Sequence, residues 1–362
     1  MGDDIFDDDN KTEKTVNKEF KPGVGVDIGT SNIVVSRQTK DGTFVNKFHR
    51  NMLYPLDVSD ESSDLLEKGS YLYVRVDKKY YVVGEDALNL VNAIGKGEIV
   101  RPMKDGILNP SLKESSDLLF YIIKAVVGEP LIKNEPLRFC IPANPIDQDI
   151  DNTFHKMILN GFFKTLGYEP KSVNEGMCVA YDCNPVVKND EGTNNLSGIS
   201  ISCGAGMTNL ALLYKGMELS SFSITKSGDY IDEQVSKVTG FLKSKITKRK
   251  EKELNLEKPN HSDRALSALY IYYGEYVNRV AHLIAQEFTK RGSDIQGETE
   301  IVVAGGTSLP KGFISMFENS IKEKDFPFKI SNIRHSKTPF YSVAQGACIR
   351  AMADVAKLEK SK

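Results

Sequence analysis

The stretch GISISCGAGMTNLALLYKG, residues 198–216, decides the fold. Two apolar runs flank Gly204-Ala205-Gly206, and a polar Thr208 opens the second of them, which predicts strand, glycine turn, strand. The same theme stands about 175 residues earlier as GVGVDIGTSNIVVSR, residues 23–37. The copies differ at one chemically important place. The incoming strand of the earlier copy carries Asp27 near its end, and the later one carries Ser202.

Composition limits what such a pair can belong to. At 362 residues the chain exceeds one ordinary domain and suits two domains sharing a cleft. Apolar residues make up 40% and charged residues 27%, which permits a sizeable core. A net charge of −2 gives no electrostatic basis for binding nucleic acid. The longest apolar runs, such as 118–123 and 301–304, are too short to cross a bilayer. The N-terminal MGDDIFDDDNK lacks the basic and apolar regions of a secretion signal, so a cytoplasmic location is expected. Cys140, Cys178, Cys183, Cys203 and Cys348 form no Cys-x-x-Cys pair, and the histidines are equally dispersed. They predict core thiols in a reducing compartment and no metal site made of side chains alone.

Along the chain, residues 1–22 are polar and largely acidic and predict a disordered arm. An alternating pair around Asp77-Lys78-Lys79 predicts a hairpin, and Ser115 or Ser116 caps a helix that ends at Gly128. LRFCIPAN is a buried strand stopped by Pro142. Residues 147–167 have helical spacing with a core stripe of Ile150, Phe154, Met157, Ile158 and Phe162. KNDEGTNN, 188–195, reads as a polar linker, and the charged run 243–263 reads as an exposed helix face followed by a loop. The repeated theme argues for two similar α/β domains facing each other.

A phosphate chain needs backbone N–H groups close to its oxygens. Gly29, Gly204 and Gly206 remove the Cβ that would block approach, and Thr30, Ser31 and Thr208 add hydroxyl donors. Two such hairpins can clamp phosphates from opposite sides. Asp27 then faces the metal that neutralises them, through waters as magnesium prefers. Each hairpin alone is also an ordinary turn, as is the Gly305-Gly306 pair in VVAGGTSLPKGF. All three in this order are harder to read as turns only.

In that order the motifs resemble those of the actin-like ATPases, within the wider actin, sugar-kinase and heat-shock-chaperone superfamily. DIGTSN (27–32) looks like the first phosphate motif, SCGAGMTNL (202–210) the second, and VAGGTSLPKG (303–312) the adenosine motif. NEGMCVAY (174–181) and YSVAQGA (341–347) look like the two connecting helices. RPMKDGIL (101–108) is similar to a segment of the bacterial rod-shape actin MreB; YVVGEDAL (81–88) and TKSGDYIDE (225–233) are similar to the magnetosome filament protein MamK. The resemblance runs from about Gly23 to the C-terminal helix and leaves out the arm and the 243–263 run. It implies a duplicated, ribonuclease H-like two-domain α/β fold with a central nucleotide cleft and four subdomains. Domain I then covers 23–187, with a small subdomain at about 50–94, and domain II covers 188–345, with one at about 230–297, before a terminal helix 346–362.

The resemblance also implies ATP or ADP with Mg²⁺ as cofactors and a head-to-tail filament as the self-partner, with cargo or regulatory proteins as further partners. Asp27 matches the metal-facing aspartate. Gly29, Thr30, Ser31 and Asn32 match the first phosphate hairpin, and Gly204, Ala205, Gly206, Met207 and Thr208 the second. Gly228, Asp229, Gly305, Gly306 and Thr307 match positions around ribose and adenine. The residue that orients the attacking water falls at Asp149, with Gln148 and Asp151 beside it; helix capping is the competing role for an aspartate there. Ser202 takes the place of the second-hairpin aspartate, and no acidic neighbour of the hairpin replaces it. The expectation is retained nucleotide binding with hydrolysis slowed by about one to three orders of magnitude. Two readings stay open: a polymerising, slowly hydrolysing actin-like protein, and a non-polymerising adaptor that recruits partners. A short, charged C-terminal tail argues against membrane attachment. A sugar-kinase-type insertion or a chaperone's peptide-binding domain is not expected in a chain of this length.

Overall fold

The strand Val24–Ile28 pairs antiparallel with Asn32–Gln38, and Gly198–Cys203 pairs antiparallel with Thr208–Tyr214, each across its glycine turn. The computed structural model describes residues 19–190, 192–291 and 297–360. Around both hairpins the chain builds the same sheet. In the first half Phe44–Arg50 continues antiparallel on one side, and Glu135–Ile141 and Tyr168–Asn174 add parallel strands on the other. In the second half Met217–Ile224 continues antiparallel, and Glu298–Ala304 and Lys329–His335 add parallel strands. The repeat legible in sequence is therefore a repeat of topology, and the duplicated α/β fold stands.

Two helices join the halves. Glu175–Cys183 packs on the second sheet, Ser342–Lys360 packs on the first, and the two pack on each other. They come close enough that a Cβ on Gly346 would lie 1.8 Å from the Cys178 carbonyl oxygen, so only glycine fits there. Each half has its own core. Val26, Ile33, Leu119 and Phe139 are buried in the first; Ile201, Phe222, Val277 and Phe288 are buried in the second. The long helix Arg264–Arg291 presents Tyr273 and Tyr276 to that second core, as its aromatic face predicts.

Small units crown each half. A three-stranded sheet (Leu53–Asp57, Lys79–Val83, Tyr73–Val76) with helices Asp60–Gly69 and Glu85–Ile94 stands on the first. Helices Gly228–Thr239 and Lys243–Lys252 stand on the second.

Three expectations change. Residues 188–195 are not a linker: Val186–Asn189 and Gly192–Asn195 form a hairpin whose first strand joins Glu298–Ala304, because a polar strand at a solvated sheet edge needs no apolar alternation. Of the arm read over 1–22, residues 1–18 lie outside the described residues. Residues 19–22 follow the sheet, where the Lys21 amide donates to the Gln38 carbonyl at 2.8 Å and the Lys40 amide to that of Glu19 at 2.9 Å. The helix Thr153–Thr165 is turned by one residue from the predicted stripe. It buries His155, Leu159 and Phe163 and leaves Phe154 and Met157 exposed at 64% and 67%. A histidine counted as polar hid the i, i+4, i+8 stripe.

Candidate functional site: a cleft between two glycine hairpins

Both hairpin turns are closed in the same way. The Gly29 amide donates to the Asn32 carbonyl at 2.9 Å, and the Gly204 amide to the Met207 carbonyl at 2.9 Å. A Cβ on either glycine would sit 2.8 Å from that carbonyl oxygen, so both turns require glycine. The turns face each other across a cavity of about 320 Å³. Asp27, Gly29, Thr30, Ser31 and Asn32 line it from one side; Ser202, Gly204, Ala205, Gly206, Met207, Gly305, Gly306 and Thr307 line it from the other. The loop after Arg101 touches both hairpins: the Gly106 amide donates to Thr30 Oγ1 at 3.1 Å, and a Cβ on Gly206 would lie 2.4 Å from that oxygen.

Four expected residues lie elsewhere. Thr208 is buried behind the turn, bonded to Ser227 at 3.1 Å and Tyr276 at 2.7 Å. Gly228 supports the second hairpin from below, its amide donating to the Gly204 carbonyl at 3.3 Å. Asp229 is engaged by Arg101, whose Nη1 reaches both carboxylate oxygens at 2.5 and 2.6 Å. Burial alone would raise the Asp229 carboxyl, but Arg101, with Lys243 and Lys250, outweighs it and brings it down to about 2. Asp149 is exposed on the loop after Glu135–Ile141 and does not face the cavity; nor do Gln148 and Asp151.

The carboxylate that does face it is Glu175, in the first turn of the helix Glu175–Cys183. Asn174 caps this helix, its side-chain oxygen accepting from the Gly176 and Met177 amides, and so fixes where Glu175 emerges. Asn209 Nδ2 donates to Glu175 at 2.9 Å. The opposite end of that amide accepts from the Ala143 amide at 3.1 Å and Ser223 Oγ at 2.8 Å, which sets its orientation. The Ser202 hydroxyl also bonds Glu175. Burial, and then the charge on Asp27, push the Glu175 carboxyl well above the usual range against those two hydrogen bonds; burial raises Asp27 as well. Two acids thus share a desolvated floor on which ionising both is costly without a cation. An acidic side chain does stand beside Ser202, delivered from 27 residues upstream by a helix, where inspection of the hairpin's own neighbours misses it.

Further lining comes from residues that no motif marked. Phe48 and Phe340 meet edge to face at 5.3 Å, and Arg50, Thr247, Lys250 and Glu251 face the opening. The last three belong to the helix Lys243–Lys252, within the run read as solvent-facing. Among the described residues no group of three or more His, Cys, Asp or Glu side chains is arranged to hold a metal. None of the described helices is long and apolar enough to cross a membrane.

Solved structures share this architecture. The MamK double helical filament matches at a TM-score of 0.61 and 18% identity, covering 91% of this chain and 98% of that one. MreB5 of Spiroplasma citri bound to AMPPNP matches at 0.60 and 16%, covering 94% and 99%. The ethanolamine utilization protein EutJ from Carboxydothermus hydrogenoformans matches at 0.53 and 13%, covering 92% and 90%. The fold is actin-like. No curated protein matches the chain. The profile of the family described as Volactin matches residues 23–351, a span that holds both glycine hairpins, the helix bearing Glu175 and the Gly305-Gly306 turn, and the chain belongs to the Volactin family.

Proposed function

We propose that this protein is a cytoplasmic, actin-like cytoskeletal protein that binds ATP with magnesium in the cleft, assembles into filaments and hydrolyses the nucleotide slowly. The observation that carries the reading is the pair of half-buried carboxylates, Asp27 and Glu175, on the floor between two glycine hairpins. The donor set fits a hard divalent cation held with phosphate: magnesium takes one or two carboxylates and completes its shell with phosphate oxygens and water. Bound there, it supplies the positive charge that phosphoryl transfer requires.

The chain's own groups do the rest. The amides of residues 29–32 and 204–207 bind phosphate oxygens, since glycine lets the backbone approach. Asp27 would hold the ion, through water as magnesium prefers. Glu175 orients the attacking water and accepts its proton at a carboxylate oxygen, fixed by Asn209 and Ser202. Ser202 adds no charge of its own, which keeps the hydrolysis slow. Likeness to the MamK filament supports self-association, and the AMPPNP-bound MreB5 supports a nucleotide in the cleft.

High-speed sedimentation with ATP, ADP or AMPPNP, alongside phosphate release, tests the proposal. A pellet that depends on nucleotide, with phosphate released more slowly than polymer forms, is expected. No pellet with any nucleotide would overturn the filament reading and leave a nucleotide-dependent adaptor.

A further inference from the structure

Among the described residues two cations line the cleft, Arg50 and Lys250. Lys250 is committed to its own half, donating to the buried Asp232 at 2.8 Å and to the Gly228 carbonyl at 3.2 Å. Arg50 is placed differently. It ends the strand Phe44–Arg50 directly opposite Asn32, so its side chain shares the cleft face with Asn32 at the mouth of the first hairpin. Val34, two residues along on that same face, is apolar and brings no charge. The Arg50 guanidinium is held from two directions. Glu85, at the start of the helix Glu85–Ile94, accepts from Nε; Glu251, on the helix Lys243–Lys252, accepts from Nη1 at 3.0 Å and Nη2 at 2.6 Å. The triad ties the two lips of the cleft together.

Resting on the nucleotide reading above, we infer that Arg50 is the side-chain ligand for the phosphate tail and that Glu251 holds its place when no phosphate is bound. A guanidinium presents two donor edges that fit carboxylate and phosphate oxygens equally well. The Glu251 side chain is 35% exposed, so water resolvates it at small cost once displaced. A polyphosphate therefore exchanges the tie between the lips for a contact to itself, while a bare nucleoside leaves the tie intact. Ligand charge is converted into freedom of the helix Lys243–Lys252.

Calorimetric binding of adenosine, ADP and ATP to the full chain in magnesium buffer tests this. Arg50→Gln is expected to weaken ATP by about tenfold or more, ADP by a smaller factor, and adenosine by less than about twofold. Glu251→Gln frees the guanidinium and is expected to tighten ATP several-fold with adenosine unchanged. If Arg50→Gln does not fold, Glu251→Gln decides alone. ATP bound equally by wild type and both variants, or all three ligands weakened alike by Glu251→Gln, overturns the role of Arg50 and leaves the nucleotide reading standing. Wild-type protein that binds none of the three overturns that reading and this inference together.

Discussion

Arg101 and Asp229 form one ion pair between the two halves, with Nη1 of the arginine reaching both oxygens of the aspartate. Arg101 enters the loop that touches both glycine hairpins, and Asp229 stands in the first turn of the helix Gly228–Thr239. The pair thus joins the halves beside the glycine hairpins, while Arg50 joins them at the mouth.

Arg101→Ala leaves a largely buried carboxylate facing only Lys243 at 3.9 Å and the more distant Lys250, and is expected to cost about 1–3 kcal/mol. The pH dependence has a definite sign. The folded Asp229 pKa lies below its unfolded value, so its contribution, about 2 kcal/mol, is present above pH 3.8 and lost as pH falls toward 2. Denaturant unfolding of wild type and Arg101→Ala checks both; equal stability would show the pair to be incidental.

His155 supplies a second pH effect. It is 2% exposed, and neither ring nitrogen has a hydrogen-bond partner among the described residues. Burial lowers its pKa to about 4 from 6.5. Because the folded value is the lower one, the unfolded chain takes up the proton first, and stability falls by about 3 kcal/mol as pH drops from 6.5 to 4. Asp27 and Glu175, whose folded values are raised, act in the opposite sense. His155→Leu is therefore expected to gain on wild type below pH 6 and to match it near pH 7.5. A constant difference across that range would refute the assignment.

How much of this was legible in sequence follows from what each feature depends on. The hairpins, their glycines and the duplication are local patterns, so Gly29, Gly204 and Asp27 can be read directly. The floor of the cleft is not local. Glu175 faces Ser202 only because Asn174 starts a helix there and Asn209 holds the carboxylate, and no spacing rule links positions 175, 202 and 209. The resemblance points instead to Asp149, which lies on a loop in solvent. The charged helix Lys243–Lys252 was read as solvated because its composition is polar all round, yet Ile246 and Thr247 are buried and Lys250 and Glu251 face the cavity. Polar residues that line a polar site carry no hydrophobic signature.

Gly206→Ala probes how tightly the hairpins meet. The new methyl group would collide with Thr30 Oγ1 at 2.4 Å and the Gly106 amide at 2.6 Å, and neither belongs to a long flexible chain. Overpacking of this kind is expected to cost about 1–3 kcal/mol and to part the hairpins. Nucleotide affinity should fall with stability. Gly42→Ala meets no atom within 4 Å and serves as a control for substituting glycine, although its φ of 93° adds some strain. Unchanged melting and unchanged ATP binding in Gly206→Ala would mean that the hairpins do not need this contact.

The division of labour between Glu175 and Ser202 gives the sharpest test. Glu175→Gln keeps the shape and both hydrogen bonds but cannot accept a proton, so phosphate release should fall by about 10²-fold or more while ATP still binds. Ser202→Asp introduces a third carboxylate beside Asp27 and Glu175 and removes a hydroxyl that bonds Glu175. Without a divalent cation that charge has no partner in a desolvated floor, and about 2 kcal/mol of stability should be lost. Magnesium and ATP should restore the melting temperature, because added negative charge strengthens the hold on the ion, and phosphate release should then exceed wild type. Melting curves with and without magnesium separate the electrostatic cost from simple misfolding. If Ser202→Asp melts as wild type without the ion and gains nothing with it, the floor is not a cation site. If Glu175→Gln releases phosphate at the wild-type rate, the proton goes elsewhere.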